Sequence, residues 1–166
     1  MHVARRLCAA AKAKNKATKV AEDELSDVKT LRLMAVDADD LQVISAACQD
    51  GVCKPADLSF EKAKRRFHIE FNRYRWENTS GQRVRSALSF EDVNSVKARA
   101  LPPKSADLVL SILSVEWTPD EEAPAGKVRV LFAGDGELEL TMDCLDATLV
   151  DVSNPWSTRN RPTHKD

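Results

Sequence analysis

Residues 62–90 constrain the fold most, because their pattern predicts a β-hairpin with two chemically different faces. Apolar and polar residues alternate over residues 67–71 and again over residues 84–90, which is the period of half-buried strands. Between the two runs, Asn78-Thr79-Ser80-Gly81 consists of turn-forming residues. The segment is therefore predicted to form two adjacent antiparallel strands joined by a short loop.

A loop at residues 78–81 also predicts which side chains face each other. One face pairs apolar residues and the other pairs aromatic residues with arginines: Phe71 with Leu88, Ile69 with Phe90, Trp76 with Arg83 and Tyr74 with Arg85. The second face is the candidate interaction surface, called here the Arg/aromatic face. Its predicted members are Arg73, Tyr74, Arg75, Trp76, Arg83 and Arg85.

Length and composition indicate one folded domain. The chain has 166 residues, of which 43% are hydrophobic and 31% charged. No apolar run approaches the roughly 20 residues of a membrane span. Residues 1–29 carry a balance of +3 and residues 30–166 a balance of −4. A mildly acidic body argues against nucleic acid as an obligatory partner, because phosphate binding needs a broad basic surface.

The four cysteines predict free thiols. Cys8, Cys48, Cys53 and Cys144 form no Cys-x-x-Cys pair, and the chain is larger than the small secreted scaffolds that need disulfides. No secretory leader is recognised, so a cytoplasmic location is expected. An organelle-targeting peptide is the alternative for the first 21 residues, which lack acids.

Three regions are expected along the chain. Residues 1–29 are predicted to be a mobile extension rich in alanine and basic residues, residues 30–153 a single α+β domain, and residues 154–166 a polar tail. In that tail, Trp156 is expected to fold back on the body of the domain.

The domain is expected to open with a strand and a short helix. Residues 31–36 predict the strand, and Asp37 is positioned as the N-cap of the helix. An apolar stripe follows at helical spacing, at Leu41, Ile44 and Cys48. Gly51 fits the left-handed position after the helix.

From residue 52 onward the pattern is almost entirely that of strands. Pro55 marks residues 52–60 as an edge strand or a bulged one. The alternation changes phase near Glu91 and Asp92, which predicts a bulge or a bend. Residues 108–117 predict a central strand, and the Gly134-Asp135-Gly136 turn predicts a second hairpin. Residues 145–152 fit a last strand or a short helix. The fold class is therefore α+β, with a mainly antiparallel, strongly curved sheet (a roll or partial barrel) and one short N-terminal helix.

The order of several short motifs resembles a known family. The motifs are Asp37-Ala38-Asp39-Asp40-Leu41, Ile44-Ser45-Ala46, Gln49-Asp50, Arg65-Arg66-Phe67, Asn72-Arg73-Tyr74-Arg75-Trp76-Glu77, Arg85-Ser86-Ala87-Leu88 and Phe132-Ala133-Gly134-Asp135-Gly136. They follow the strand at residues 31–36 and are similar to domain of unknown function 2948, a mostly alphaproteobacterial family. The resemblance spans about residues 31–163. It implies a bacterial, cytoplasmic setting and no particular activity.

No catalytic or metal site is predicted. A metal site needs three or four converging ligands, and His68 is the one histidine outside the terminal regions. His68 is expected to face Glu91 across the hairpin as a surface contact. No Gly-x-Ser-x-Gly motif occurs, and no serine has the distinctive turn of a catalytic nucleophile. The acids around the helix are explained by capping and by the helix dipole. No phosphate-binding glycine motif occurs, so no cofactor is expected.

Three functions remain open, in order of preference. The first is a non-enzymatic protein-interaction module, or a self-association surface, that uses the Arg/aromatic face. The second is a single-stranded nucleic-acid binder that stacks bases on Tyr74 and Trp76. The third is a small enzyme with a pocket inside the curved sheet. The same side chains could also satisfy each other, with Arg83 over Trp76 and Arg85 over Tyr74 as cation–π pairs.

Overall fold

The computed structural model describes residues 30–104, 106–159 and 161–162, and shows an α+β domain. Within these residues it contains one α-helix, α1 (Ala38–Cys48), and two 3₁₀ turns, Pro55–Asp57 and Lys62–Lys64. The strands are β1 (Arg32–Ala35), β2 (Val52–Cys53), β3 (Leu58–Glu61), β4 (Arg66–Tyr74), β5 (Gln82–Phe90), β6 (Val93–Arg99), β7 (Leu110–Pro119), β8 (Gly126–Phe132), β9 (Glu137–Met142), β10 (Ala147–Asp151) and β11 (Trp156–Ser157). The extension predicted for residues 1–29 lies outside the described residues.

The strands form one antiparallel sheet. Its order is β1-β10-β5-β4-β2-β7-β8-β9-β6, with β3 added to β4 and β11 added to β5. The predicted α+β class and mainly antiparallel pairing are confirmed, and residues 147–151 form a strand rather than a helix. Strand β7 has neighbours on both sides, as its apolar pattern predicted. Strong curvature of the sheet stays a prediction.

Helix α1 packs on the sheet through the predicted stripe. The Asp37 carboxylate caps the helix by accepting a hydrogen bond from the Asp40 N–H at 2.9 Å. Leu41, Ile44 and Cys48 are fully or almost fully buried and belong to the single hydrophobic core. The helix lies against β7 and β1, so it covers the inner face of the sheet.

The hairpin of β4 and β5 forms, but its predicted register is wrong by two residues. Ile69 lies opposite Leu88 and Phe71 opposite Ser86, while Tyr74 lies opposite Arg83. A shift of two residues keeps every side chain on its face, so the apolar face is still the buried one. The loop is longer than predicted, because the strand ends at Tyr74 and the last backbone bond joins Arg75 N to the Gln82 carbonyl.

Two other predicted strands are interrupted. Pro55 begins a 3₁₀ turn that separates β2 from β3, since proline is well suited to the first helical position. The phase change after β5 is a bend at Asp92, which has a φ of 56°. Strand β6 then leaves β5 and pairs with β9, with a bulge between Val93 and Ser95.

The residue in the left-handed conformation after α1 is not the predicted glycine. Asp50 has a φ of 59°, whereas Gly51 is not among the residues with positive φ. The structure gives Gly51 a different role. A Cβ at this position would lie 2.5 Å from Cδ2 of Phe71 and 2.7 Å from the Cys48 carbonyl oxygen. Glycine is therefore needed because the helix end passes directly over a core phenylalanine.

Candidate interaction surface

Two tryptophans and an arginine share the outer face of the sheet. Trp156 lies directly opposite Arg83, and Arg83 lies opposite Tyr74, so the three side chains form a row across β11, β5 and β4. The ring centroids of Tyr74 and Trp76 are 4.7 Å apart. Both Trp76 and Trp156 are 40% exposed, whereas Tyr74 is only 5% exposed. These four residues are called the tryptophan surface below.

The tail holds Trp156 in place through backbone contacts. Thr158 N donates to the Gly81 carbonyl at 2.9 Å, on the same side of β5 as the pairing of Trp156. The prediction that Trp156 folds back on the domain is confirmed. Because neighbouring strands lie about 4.8 Å apart, the Cα atoms of Trp156 and Tyr74 are separated by about 10 Å. The two exposed indoles therefore flank Arg83 and the buried Tyr74 ring.

The predicted Arg/aromatic face is wrong for Arg73, which is fully buried on the inner side of the sheet. Its Nε and Nη2 donate to the two carboxylate oxygens of Asp151 at 2.8 and 2.9 Å. Its Nη1 and Nη2 donate to Glu77 at 3.0 and 2.7 Å. Asp151 also accepts from the Ser86 hydroxyl and the Leu31 N–H. Arg73 is thus a structural cation held by two carboxylates.

The mutual contacts of Arg73, Glu77 and Asp151 determine the protonation states of all three side chains. Burial by itself would lower the pKa of the Arg73 guanidinium, but the hydrogen bonds and charges of Asp151 and Glu77 outweigh it and raise that pKa. Hydrogen bonds from Arg73 lower the pKa of Glu77 to about 2. Burial would raise the pKa of Asp151, yet the hydrogen bonds from Arg73 and Ser86 bring it below its ordinary value. All three groups are therefore ionised at neutral pH.

Two more of the arginines predicted for the Arg/aromatic face form ion pairs with carboxylates. Arg85 lies opposite Asn72 rather than Tyr74, and its Nη2 is 2.9 Å from both Asp57 and Glu70. The predicted Arg85–Tyr74 pair is therefore wrong. Arg75 is largely buried and donates to Glu77 at 3.4 Å and to the Gln82 side chain at 3.0 Å.

Arg83 is different, because its contact is with a neutral group. Its Nη1 donates to the Asn72 carbonyl at 3.2 Å, and no carboxylate among the described residues pairs with it. Arg159 follows the Thr158 contact directly, is exposed, and likewise forms no ion pair within the described part of the chain. The tryptophan surface consequently carries the positive charge of Arg83, with which no carboxylate of the described residues pairs.

The structure also places two buried cysteines and the histidine that the sequence singled out. Burial raises the pKa of Cys48 and of Cys53 to about 12, so both thiols are protonated at neutral pH. His68 lies opposite Ser89, not Glu91, and its Nδ1 is 4.0 Å from Glu61. The predicted His68–Glu91 contact is wrong, because Glu91 instead accepts from Arg66 at 2.6 Å.

Neither a cluster of metal ligands nor a membrane-spanning helix is found among the described residues. In residues 30–104, 106–159 and 161–162, no group of three histidine, cysteine or acidic side chains is placed to hold a metal ion. The helix found there lacks the length and apolar character to cross a membrane.

Comparison with known proteins places the chain in a family. The family described as a protein of unknown function, DUF2948, matches residues 31–164. The chain belongs to this family. No curated protein and no solved structure matches it. Every residue of the tryptophan surface, together with Arg159, lies within the part of the chain that defines membership of DUF2948.

Two placements at this surface were not predicted from the sequence: the burial of Arg73, for which there was a signal, and the pairing of Trp156 opposite Arg83. Arg73 continues the inward positions 67, 69 and 71, so strict alternation places it in the core. A buried arginine requires a buried acid, and Asp151 occupies the inward end of β10. Trp156 had no comparable local signal, because its position depends on a two-residue pairing with β5 far along the chain.

Proposed function

We propose that this DUF2948 domain is a non-enzymatic interaction module that binds an acidic segment of another protein on the tryptophan surface. The observation that supports it most is the pair of 40%-exposed indoles on either side of Arg83. Tryptophan and arginine are the residues most enriched among those that dominate binding energy at protein interfaces. Exposed apolar side chains that lie together in one patch, rather than singly, mark interaction sites.

The charge of the surface supports an acidic partner. Arg83 has no carboxylate partner among the described residues, so an incoming aspartate or glutamate would meet a cation already free to bind it. The same unneutralised charge disfavours self-association through this face, since two copies would bring like charges together. We infer a cytoplasmic location for the same domain, in keeping with its three described cysteines, which are free thiols.

Single-stranded nucleic acid is the second candidate, and the exposed indoles are what favours it. Its support is weaker than the sequence indicated. Arg73, Arg75 and Arg85 would have to grip phosphates, yet each is engaged by carboxylates. With these three arginines neutralised, the remaining positive charge is too limited for a strand that needs several phosphate contacts.

The test compares two pairs of substitutions in the full chain. Trp76→Ala/Trp156→Ala removes both indoles, and Val43→Ala/Leu113→Ala removes two similarly exposed apolar side chains elsewhere on the surface. Proteins retained on immobilised chain are identified for each variant, and each candidate partner is then titrated as a purified protein by isothermal calorimetry. We expect a partner whose binding is lost in the tryptophan variant and kept in the control. A partner bound equally by both variants would count against the proposal.

The nucleic-acid alternative is separated by a second titration. Tryptophan emission is followed while oligothymidylate is added at low salt. We expect the wild type and the Trp76→Ala/Trp156→Ala variant to show the same response to oligothymidylate, without quenching that depends on these two tryptophans. A quench that depends on these tryptophans and falls steeply with added salt would instead assign the surface to single-stranded nucleic acid.

A further inference from the structure

We propose that the groove beside the free edge of β6 binds an extended acidic–apolar peptide, which adds to the sheet as a strand. This site is separate from the tryptophan surface and does not depend on it. The groove encloses about 400 Å³ and runs between β3 and β6. It is lined mainly by apolar side chains: Leu58, Phe60, Phe67, Val96, Leu101 and Leu138. That volume and lining are typical of a site that takes up apolar side chains.

The edge of β6 supplies the second, independent observation. Strand β6 ends the strand order of the sheet and pairs with β9 on one side. Apart from the pairing with β9, one backbone hydrogen bond joins β6 to another described segment. In this bond Val93 N donates to the Arg65 carbonyl at 2.8 Å. Residues 96–99 thus present unpaired backbone groups, which is the template for β-augmentation.

The side chains of β6 leave this edge open. Lys97 and Arg99 lie on one face of the sheet, where they pair with Glu139 and Glu137 of β9. Val96 and Ala98 lie on the opposite face and line the groove. Edge strands are usually protected by free charged side chains, bulges or proline. In β6 the bulge lies before residue 96, both charged side chains are engaged by glutamates, and no proline occurs over residues 96–99.

The groove and the edge together define the occupant. A strand that pairs with residues 96–99 would direct every second side chain into the apolar groove, which selects alternating apolar residues. Lys104 also lines the groove and has no ion pair among the described residues. An acidic residue near the end of the peptide would pair with it. The occupant is therefore a peptide segment of another protein rather than a second copy, whose own β6 would bring more lysine and arginine.

The experiment selects ligands and then asks where they bind. Random twelve-residue peptides on phage are selected against the full chain, and enriched peptides are synthesised with a fluorescent label. Ala98→Trp fills the groove from an exposed position, and Ala46→Trp is the matched control on the exposed side of α1. We expect enriched peptides to have alternating apolar residues and an acid, and to lose about tenfold or more in affinity in Ala98→Trp but not in Ala46→Trp.

Further arms separate the modes of binding. N-methylation of alternate peptide residues should abolish binding for one set and spare the other, because only one set of N–H groups faces β6. Lys104→Glu should weaken the acidic peptides. The proposal is overturned by a selection without enriched peptides, by binding that depends on Trp76 and not on Ala98, or by equal effects of both N-methylated sets. A dimer of the free chain that Ala98→Trp dissociates would also overturn it, because the occupant would then be a second copy.

Discussion

Arg73 shows how a single charged residue can be part of a core. A buried guanidinium loses its hydration, which is costly unless every donor finds an acceptor. Here the donors meet Asp151, Glu77 and the Tyr74 carbonyl, and no buried side-chain nitrogen or oxygen of the described residues lacks a partner. The group joins β4 to β10 and to the loop after β4. It therefore holds the loop that carries Trp76 against the end of β4.

Removing this cation should destabilise the domain strongly. Arg73→Met leaves the Asp151 carboxylate buried without its partner, and breaking one side of a buried ion pair typically costs about 3–5 kcal/mol. Lys54→Met is the control, because the Lys54–Asp107 pair is exposed and exposed ion pairs add little to stability. Urea denaturation measures both. Replacing both buried partners, as in Arg73→Met/Asp151→Leu, should recover part of the loss. Equal midpoints for the two single variants would contradict the interpretation.

The same cluster predicts how stability depends on acid. The folded-state pKa of Glu77 is lowered from an ordinary 4.5 to about 2 by hydrogen bonds from Arg73. Between these two values the unfolded chain binds the proton and the folded chain does not, so this contribution is complete above about pH 4.5 and is lost as the pH falls toward 2. The stability difference between the wild type and Glu77→Gln should shrink over this range. It is measured by urea denaturation at several pH values, and parallel curves would exclude the pairing.

At the level of the elements, alternation predicts the face of a side chain but not the partner it meets. Phe67, Ile69 and Phe71 are buried as predicted, because a slip of two residues changes no face. The register itself depends on the loop, and Trp76 leaves the strand to pack on Tyr74 instead of extending it. The prediction that Arg73 lies on the surface is wrong because its partner Asp151 is 78 residues away in the chain. Long-range pairing of this kind has no local signal.

Asparagine should be no better tolerated than alanine at position 51 but better tolerated than alanine at position 134. A Cβ at Gly51 would overlap Phe71, so both Gly51→Ala and Gly51→Asn should cost at least about 1–3 kcal/mol. Gly134 has a φ of 83°, and a Cβ added there would meet no atom within 4 Å, so its requirement is conformational. Alanine there should cost about 1–2 kcal/mol, and asparagine less, because asparagine tolerates the left-handed region. Thermal midpoints of the four variants test this. Rescue by asparagine at position 51 would show that the overlap is relieved by movement of the helix end.

At the level of the whole molecule, the helix packs on part of the inner face of the sheet and shares one hydrophobic core with it. The inner face holds the hydrophobic core, from Ala35 in β1 to Leu149 in β10. The tryptophan surface lies on the outer face, beside the join between β5 and β11. The groove lies at the end of the strand order, between β3 and β6. The two proposed sites therefore use different parts of the domain, and a partner could occupy each independently.

The arrangement of the core also predicts that residues 30–166 fold without the preceding segment. The described core residues form one cluster, and all buried side-chain nitrogen and oxygen atoms of the described residues are hydrogen-bonded. A chain that begins at Thr30 should therefore keep the urea midpoint of the full chain. Its m-value should also be unchanged, because m scales with the surface exposed on unfolding. Circular dichroism during urea titration of both chains makes the comparison. A lower midpoint together with a smaller m-value would show that residues 1–29 bury surface against the domain, and that the domain boundary lies before residue 30.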